Sequence, residues 1–373
     1  MHTLRLINFP LNKELKEIYA FLAIKSLAVS MFGIFLPLYL LIELSFPLKK
    51  VIFFFMIAEV VWILFTFIAG KALTKIGAKH SILLGMFLAV FYLMFLVILK
   101  EGVITYFYLA AFFHGAASAF YWMGFHTNFV RSSDRRHRGE EASWWKIIPQ
   151  STELIGPILG GLILTFFNFE FLFILVSIML IISTIPLFLS KDIFKRYHFN
   201  YRRLISKDKL KQGIALFGVG IRSRAFVLLW PIFIFLILGS YLSLGSLFSF
   251  VTLLGVVFFI FAGRLSDRVD KKILMNVGSI MHAFTWFIRA PIKTALQVFS
   301  IASLDIITYA LVEVPFDAVC YNRAEKHPIE YFVFRETLIH LGALFLLIFM
   351  FFIQDFALAF MLTGLANFLI LLF

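Results

Sequence analysis

Cysteine is almost missing from this chain: Cys320 is the single one in 373 residues. That count excludes an internal disulfide, a cysteine-based zinc site and an iron–sulfur cluster. Charge is scarce as well, at 15% Asp, Glu, Lys and Arg, where an average soluble domain carries roughly 25%. Too few polar side chains remain to cover a folded core in water. A P-loop, a His-Glu-x-x-His helix and a Gly-x-Ser-x-Gly elbow are also lacking, so ATP-driven machinery and the common hydrolase chemistries have no signature here. Neither an enzymatic activity nor a cofactor is expected.

What the chain has is apolar surface, with 62% hydrophobic residues and a mean hydropathy of +0.96. Its solvent is lipid, where backbone groups must be satisfied inside helices or closed barrels. The apolar runs are long and unbroken, as in Val51–Phe67 and Ser81–Leu99, whereas barrel strands would alternate over short segments. Helices of about 20 residues are therefore expected. The 50 Phe residues suit lipid-facing helix surfaces and carry no functional weight. Between charged breaks the runs predict twelve spans, at 17–42, 50–70, 81–99, 103–126, 143–167, 171–189, 223–243, 245–263, 273–292, 296–316, 332–353 and 355–373. The first is too long for a cleaved signal peptide and lacks a small-residue cleavage site, so it reads as a retained span. Arg222 and Arg224 interrupt the apolar stretch before the seventh span. Either that span starts after them, behind an interfacial segment, or it starts at 213 and carries them inside; the first gives a span of ordinary length and is the one expected.

The loops alternate in charge. One side holds Arg5, Lys13 and Lys16; Lys71, Lys75 and Lys79; Arg131, Arg135, Arg136, Arg138 and Lys146; and the basic residues from Lys191 to Lys211. It continues with Arg264, Arg268, Lys271 and Lys272, then Arg323, Lys326 and Arg335, while the other side has only Lys49, Lys50, Lys100 and Lys293. The positive-inside rule makes the rich side cytoplasmic and puts both termini there. The net charge of +13 therefore reports topology, not nucleic-acid binding. The one long polar stretch, Ser190–Gln212, divides the spans six and six. It predicts an N-terminal six-helix bundle over 1–189, a cytoplasmic linker over 190–212 and a C-terminal six-helix bundle over 213–373. The basic linker is also expected to meet anionic lipid headgroups.

The two halves repeat a pattern. Gly70-Lys-Ala-Leu-Thr-Lys75-Ile-Gly77-Ala-Lys79 follows the second span, and Gly263-Arg-Leu-Ser-Asp267-Arg268-Val-Asp-Lys-Lys follows the eighth. A glycine at such a place lets a neighbouring helix approach closely. A carboxylate there can face a helix N-terminus or pair with an arginine. In the fifth span, Thr152-Glu153-Leu-Ile-Gly156-Pro157-Ile-Leu-Gly160-Gly161 combines a smooth small-residue face with a proline bend. A looser parallel joins Arg131–Gly139 to Asn322–Arg335.

These stretches resemble the major facilitator superfamily. The paired loops are similar to its G-x-L-x-D-R-x-G-R-K signature, with Thr74 in place of the acidic residue in the first copy and Asp270 in place of the second glycine in the other. The fifth span is similar to the G-x-x-x-G-P-x-x-G-G pattern of its drug/proton antiporters, with Thr152 at the first glycine. The resemblance implies a monomeric all-α membrane protein with twelve transmembrane helices in two pseudo-symmetric bundles, in a bacterial-type cell membrane. It further implies that Asp267, with Arg323 as partner, latches the cytoplasmic side, and that spans 1, 4, 7 and 10 line a central cavity.

Polar residues within those spans form stripes. Asp305, Thr308, Tyr309 and Glu313 share one face of span 10, and His114, Ser118, Tyr121 and Trp122 share one face of span 4. Lys25, Ser30 and Gly33 make a looser stripe on span 1. Ionisable groups at this depth mark a solute or proton path by default, or neutralise one another. Glu59 is expected either to pair with Lys25 or to serve that path, and His114 either to do so or to be a satisfied interior histidine. Glu313 is expected within a turn of the cytoplasmic boundary, and Arg289 to snorkel outward. Burial disfavours a charged carboxylate, which suits a group that loads and releases protons. Asp305 is the first choice for that role and Glu153 the second.

The expected activity is secondary active transport of a small organic solute, foremost proton-coupled export of an amphipathic compound. The rivals are uptake of sugars or organic anions, and a non-transporting sensor or scaffold. Asp267→Asn is expected to slow transport without impairing membrane insertion, as read by flux against the amount inserted. Unchanged flux would sink the latch.

Overall fold

The computed structural model describes residues 13–132, 147–189, 199, 200 and 209–373, and every regular element among them is helical. Twelve helices follow in order: α1 (Lys16–Glu43), α2 (Leu48–Ile76), α3 (Ala78–Glu101), α4 (Ile104–Ser132), α5 (Ile147–Phe166) and α6 (Phe169–Phe188). The second six are α7 (Leu210–Leu238), α8 (Tyr241–Arg268), α9 (Lys271–Arg289), α10 (Ala295–Ala324), α11 (Pro328–Ile353) and α12 (Phe356–Leu372). Nine of these are long and apolar enough to cross a membrane by length and composition, with α4, α9 and the shorter α12 completing the set. Arg5, Arg135, Arg136, Arg138, Lys146 and the linker charges from Lys191 to Arg203 lie outside the described residues, as does most of the Arg131–Gly139 stretch.

Turns between neighbours follow local chemistry. Gly77 links α2 to α3 at φ +86°, a backbone region that suits a residue without a Cβ. Ser240, Asp270 and Asp355 cap α8, α9 and α12 by accepting backbone N–H groups. Asp270 therefore has a local reason to replace the glycine of the loop signature. The proline bend expected in α5 is present, as an interruption at Leu154–Ile155 just before Gly156-Pro157. Single π turns lie next to Pro37 in α1 and Pro231 in α7.

Small residues set the distances between helices, since lipid supplies no hydrophobic drive for association. A Cβ on Gly156 would strike Ser30 Oγ, and one on Gly160 would strike the Met31 carbonyl, so α5 lies directly on α1. Gly161 faces α8, where a Cβ would stand 2.9 Å from the Tyr241 carbonyl. The Gly-Pro-x-x-Gly-Gly stretch is thus a wedge between the halves. Gly70 works likewise on α2, where a Cβ would stand 2.7 Å from Val333 of α11. The halves meet along α5–α8 and α2–α11.

Two expected boundaries are corrected. The seventh span starts at Leu210 and carries Arg222 and Arg224 inside it, at 2% and 8% exposure. Counter-charges on other helices make that placement tolerable. The tenth span extends to Ala324, so Glu313 is buried well within it rather than within a turn of its end.

Gly160→Ala should force α1 and α5 apart. Overpacking of this kind costs about 1–3 kcal/mol, to be read as a lower unfolding midpoint in detergent; an unchanged midpoint would refute the close contact.

Candidate functional site

Two adjoining cavities occupy the centre of the helices, and both touch Val29 of α1 and Val227 of α7. One, of about 390 Å³, is lined from α1, α5, α7, α8 and α10 and includes Glu153 and Asp305. The other, of about 410 Å³, is lined mainly from α1, α2, α3, α4, α7 and α11 and includes Lys25, His114, Arg224 and His340. They form an acidic and a basic lobe. All of the span 4 stripe lines the basic lobe, with Lys25. Ser30, Gly33, Asp305 and Tyr309 line the acidic lobe, whereas Thr308 and Glu313 turn to other partners.

In the acidic lobe, Asp305 pairs with Arg289 at 2.5 Å, accepts from the Thr285 hydroxyl at 3.0 Å and lies 3.4 Å from His282 Nδ1. Trp286 Nε1 donates to His282 Nε2 at 3.2 Å, which leaves His282 Nδ1 as the protonated nitrogen facing Thr308 and Asp305. Arg289 does not snorkel. It is fully buried, with its guanidinium 3.6 Å from the Trp286 ring and 4.3 Å from the Trp230 ring. A carboxylate and two indole faces inside the bundle outcompete the route outward. Next to this cluster Arg222 donates to Glu313 at 2.7 Å and stands 5.1 Å from the Tyr309 ring. Glu153 is half-buried on the cavity wall, beside Gln150 and Pro157.

In the basic lobe, Glu59 does not pair with Lys25. It is taken by Arg224 and by His340 Nδ1, the latter at 2.6 Å. Trp62 stacks on His340 at 3.8 Å. Lys25 instead lies over Tyr121, 4.3 Å from the ring centre, and 5.7 Å from Trp122. His114 is half-buried between Tyr92 and Phe55.

From His340 a buried network leads away from the cavity. His340 Nε2 lies 3.4 Å from Glu336, which pairs with Arg335 at 2.5 Å. Arg335 also donates to His126 Nε2 at 3.2 Å and lies 3.6 Å from Asp317, and His126 Nδ1 lies 2.9 Å from the Tyr321 hydroxyl. The network joins α2 and α4 to α7, α10 and α11. Sequence reasoning put Arg335 among the loop charges and Arg222 and Arg224 ahead of the seventh span, and passed over His126, His282, Asp317, Glu336 and His340. One legible signal was Glu336 and His340, i and i+4 in an apolar run.

The loop signatures divide. Lys79 is buried and pairs with Glu17 of α1 at 2.8 Å, so it locks α1 to α3 instead of standing in a loop. Lys75 and Arg268 are exposed, and Gly263 lies on α8. Thr74 bonds back to the Lys71 carbonyl at 2.8 Å. The Asp267 side chain is outside the described residues, and Arg323 donates to the Phe373 carbonyl at 2.9 Å. Among the described residues no group of three or more His, Cys, Asp or Glu side chains is placed to hold a metal ion.

Asp305→Asn leaves Arg289 buried without its counter-charge, a loss of about 3–5 kcal/mol to be measured as thermal unfolding in detergent. Adding Arg289→Met should recover most of it. A single variant as stable as the parent would show that Arg289 is neutralised elsewhere.

Comparison with known proteins agrees with this architecture. The family model of the Major Facilitator Superfamily matches residues 18–346. The uncharacterized protein YqgE of Bacillus subtilis (strain 168) is 25% identical over 301 residues, covering 74% of this chain and 68% of its own. Among solved structures, the major facilitator superfamily transporter FucP in the outward conformation superposes with a TM-score of 0.70 at 10% identity, over 96% of this chain and 98% of the other. A variant of the E. coli fucose:proton symporter FucP gives 0.67 at 11% identity, over 96% of each chain. At that identity the likeness is one of fold. A family match over most of the chain, a shared twelve-helix fold and a charged cavity at its centre lead to one conclusion: the chain belongs to the major facilitator superfamily.

Proposed function

We propose that this chain is a secondary active transporter that moves a small organic solute by alternating access, in a cycle coupled to protons. The observation that carries the reading is the central cavity, bounded by helices of both halves, with an acidic wall on one side and a basic wall on the other. A solute bound there can be exposed to either side as the two six-helix bundles, α1 to α6 and α7 to α12, rock against each other. One chain builds the whole cavity, so a monomer suffices. In the same reading both termini face the cytoplasm, and the basic loops lie against anionic headgroups.

Two carboxylates line the cavity, and their surroundings separate their roles. Asp305 is 3% exposed and already engaged by Arg289 and Thr285, which makes it an anchor for its half. Glu153 is more open to the cavity and stands just before the Gly156-Pro157 bend, where a proton can arrive and leave. The proposed proton carrier is therefore Glu153. The glycines after it are explained by packing against α1 and α8, which removes the Gly-Pro-x-x-Gly-Gly stretch as an argument for export over uptake.

Proteoliposomes with a pH gradient of either sign, screened against a panel of solutes, read coupling and direction together. Glu153→Gln should keep solute exchange across the membrane while pH-driven accumulation falls to the level of protein-free liposomes. Accumulation that persists in this variant would assign the proton to another group.

A further inference from the structure

Most cations inside the helices are matched by a carboxylate. Arg224 meets Glu59, Arg222 meets Glu313, Arg289 meets Asp305 and Lys79 meets Glu17. Lys25 is the exception. Measured along α1 from Lys16, it lies about 14 Å into the span, half-buried at the wall of the basic lobe. Its ammonium rests on the rings of Tyr121 and Trp122, and among the described residues no carboxylate forms an ion pair with it. Glu153 acts on it only through a longer-range field.

Two aromatic faces compensate a cation in part, but a counter-ion in a low dielectric does so far better. The space for one is present, because a cavity of about 410 Å³ opens in front of Lys25. The remaining charge of that lobe does not oppose an anion. Arg224 and the rings of His114 and His340 are positive or neutral, and Glu59 is taken up by Arg224 and His340. The rest of the wall is aromatic or aliphatic, with Phe32, Trp62, Leu93 and Ile339 on different sides. Such a wall suits an apolar body and offers few of the partners that a polyhydroxylated neutral solute requires.

We propose that the basic lobe binds an organic anion, with its carboxylate on Lys25 and an aromatic or similarly apolar body against Trp62, Tyr121 and Trp122. This names the substrate class of the transporter reading and rests on it for its physiological purpose, while the binding itself is measured without flux. Lys25 acts as a binding group: the charge-assisted contact supplies preference for the anion, and the rings supply affinity for its body. A small inorganic anion would satisfy the ammonium but leave the apolar wall unused.

The test uses the purified full-length chain in detergent, titrated calorimetrically with 2-naphthoate, its neutral carboxamide, the corresponding naphthylmethylamine, and sodium phosphate. The carboxylate should bind at least roughly tenfold more tightly than the carboxamide, with the amine and phosphate weaker still. Lys25→Gln should level carboxylate and carboxamide, and Lys25→Arg should keep the preference. Removing an unmatched buried charge should also leave the ligand-free Lys25→Gln protein at least as thermally stable as the parent, so that lost binding is not lost folding. Equal affinity for carboxylate and carboxamide in the parent, or a preference that survives Lys25→Gln, overturns the proposal. Parallel flux assays separate the two readings. Proton-coupled flux of neutral solutes without carboxylate binding defeats the anion site alone, and carboxylate binding without flux of any solute in the panel defeats the transporter reading alone.

Discussion

A charge held among apolar helices in a membrane must meet a counter-charge, because desolvation there costs several kcal/mol and no water is at hand to repay it. Much of this structure follows from that constraint. Arg222 and Arg224 lie mid-span on α7 because Glu313 of α10 and Glu59 of α2 face them. Arg289 turns inward because Asp305 and two tryptophan rings wait for it. Lys79 leaves its loop for Glu17. Each pair joins different helices, so matching the charges also sets which faces of those helices point inward.

The same constraint separates what could be read in the sequence from what could not. Apolar runs and loop charges suffice for the number and order of the helices, since span length and sidedness are local properties of each segment. The small-residue stretches are legible for a similar reason: Gly156, Gly160 and Gly161 sit at helical spacing, and the structure uses all three at close contacts. Pairing partners are another matter. Lys25 and Glu59 looked matched by depth, but depth does not say which way a side chain turns about its helix. Glu59 turns to α7 and α11, while Lys25 turns to α4. An arginine at a span boundary raises the same difficulty. Arg222, Arg289 and Arg335 looked like interfacial or loop charges because their own segments do not show that they turn inward, to Glu313, to Asp305 and to Glu336 with His126. The whole span 4 stripe lines the cavity, whereas Thr308 and Glu313 of the span 10 stripe face other partners.

The pairs are not equivalent under motion of the halves. Arg289–Asp305 and Arg222–Glu313 lie wholly within the second half, and Lys79–Glu17 within the first. These can persist while the bundles move. Glu59–Arg224, Glu59–His340 and Arg335–His126 cross from one half to the other, beside the close α2–α11 approach at Gly70. A rocking movement large enough to pull α2 from α11 must break or exchange them. The bonds that define each bundle are therefore distinct from the bonds that hold the bundles in this arrangement.

This distinction bears on the cavity between them. Glu59 is the shared counter-charge of Arg224 and His340, and it belongs to the first half while they belong to the second. If the halves part at α2, the cations on the second half lose that partner and the potential of the basic lobe rises. Lys25 gains no carboxylate by the same movement, since its ring contacts are within the first half. A bound anion would thus be held more strongly when the crossing pairs are broken than when they are made. Differential affinity of that kind is what a ligand needs in order to shift a two-state equilibrium. Glu59 and a bound anion would then balance the positive charge of one lobe from two places, Glu59 at Arg224 and His340 and the anion at Lys25, which would connect occupancy of the cavity to the contact between the halves.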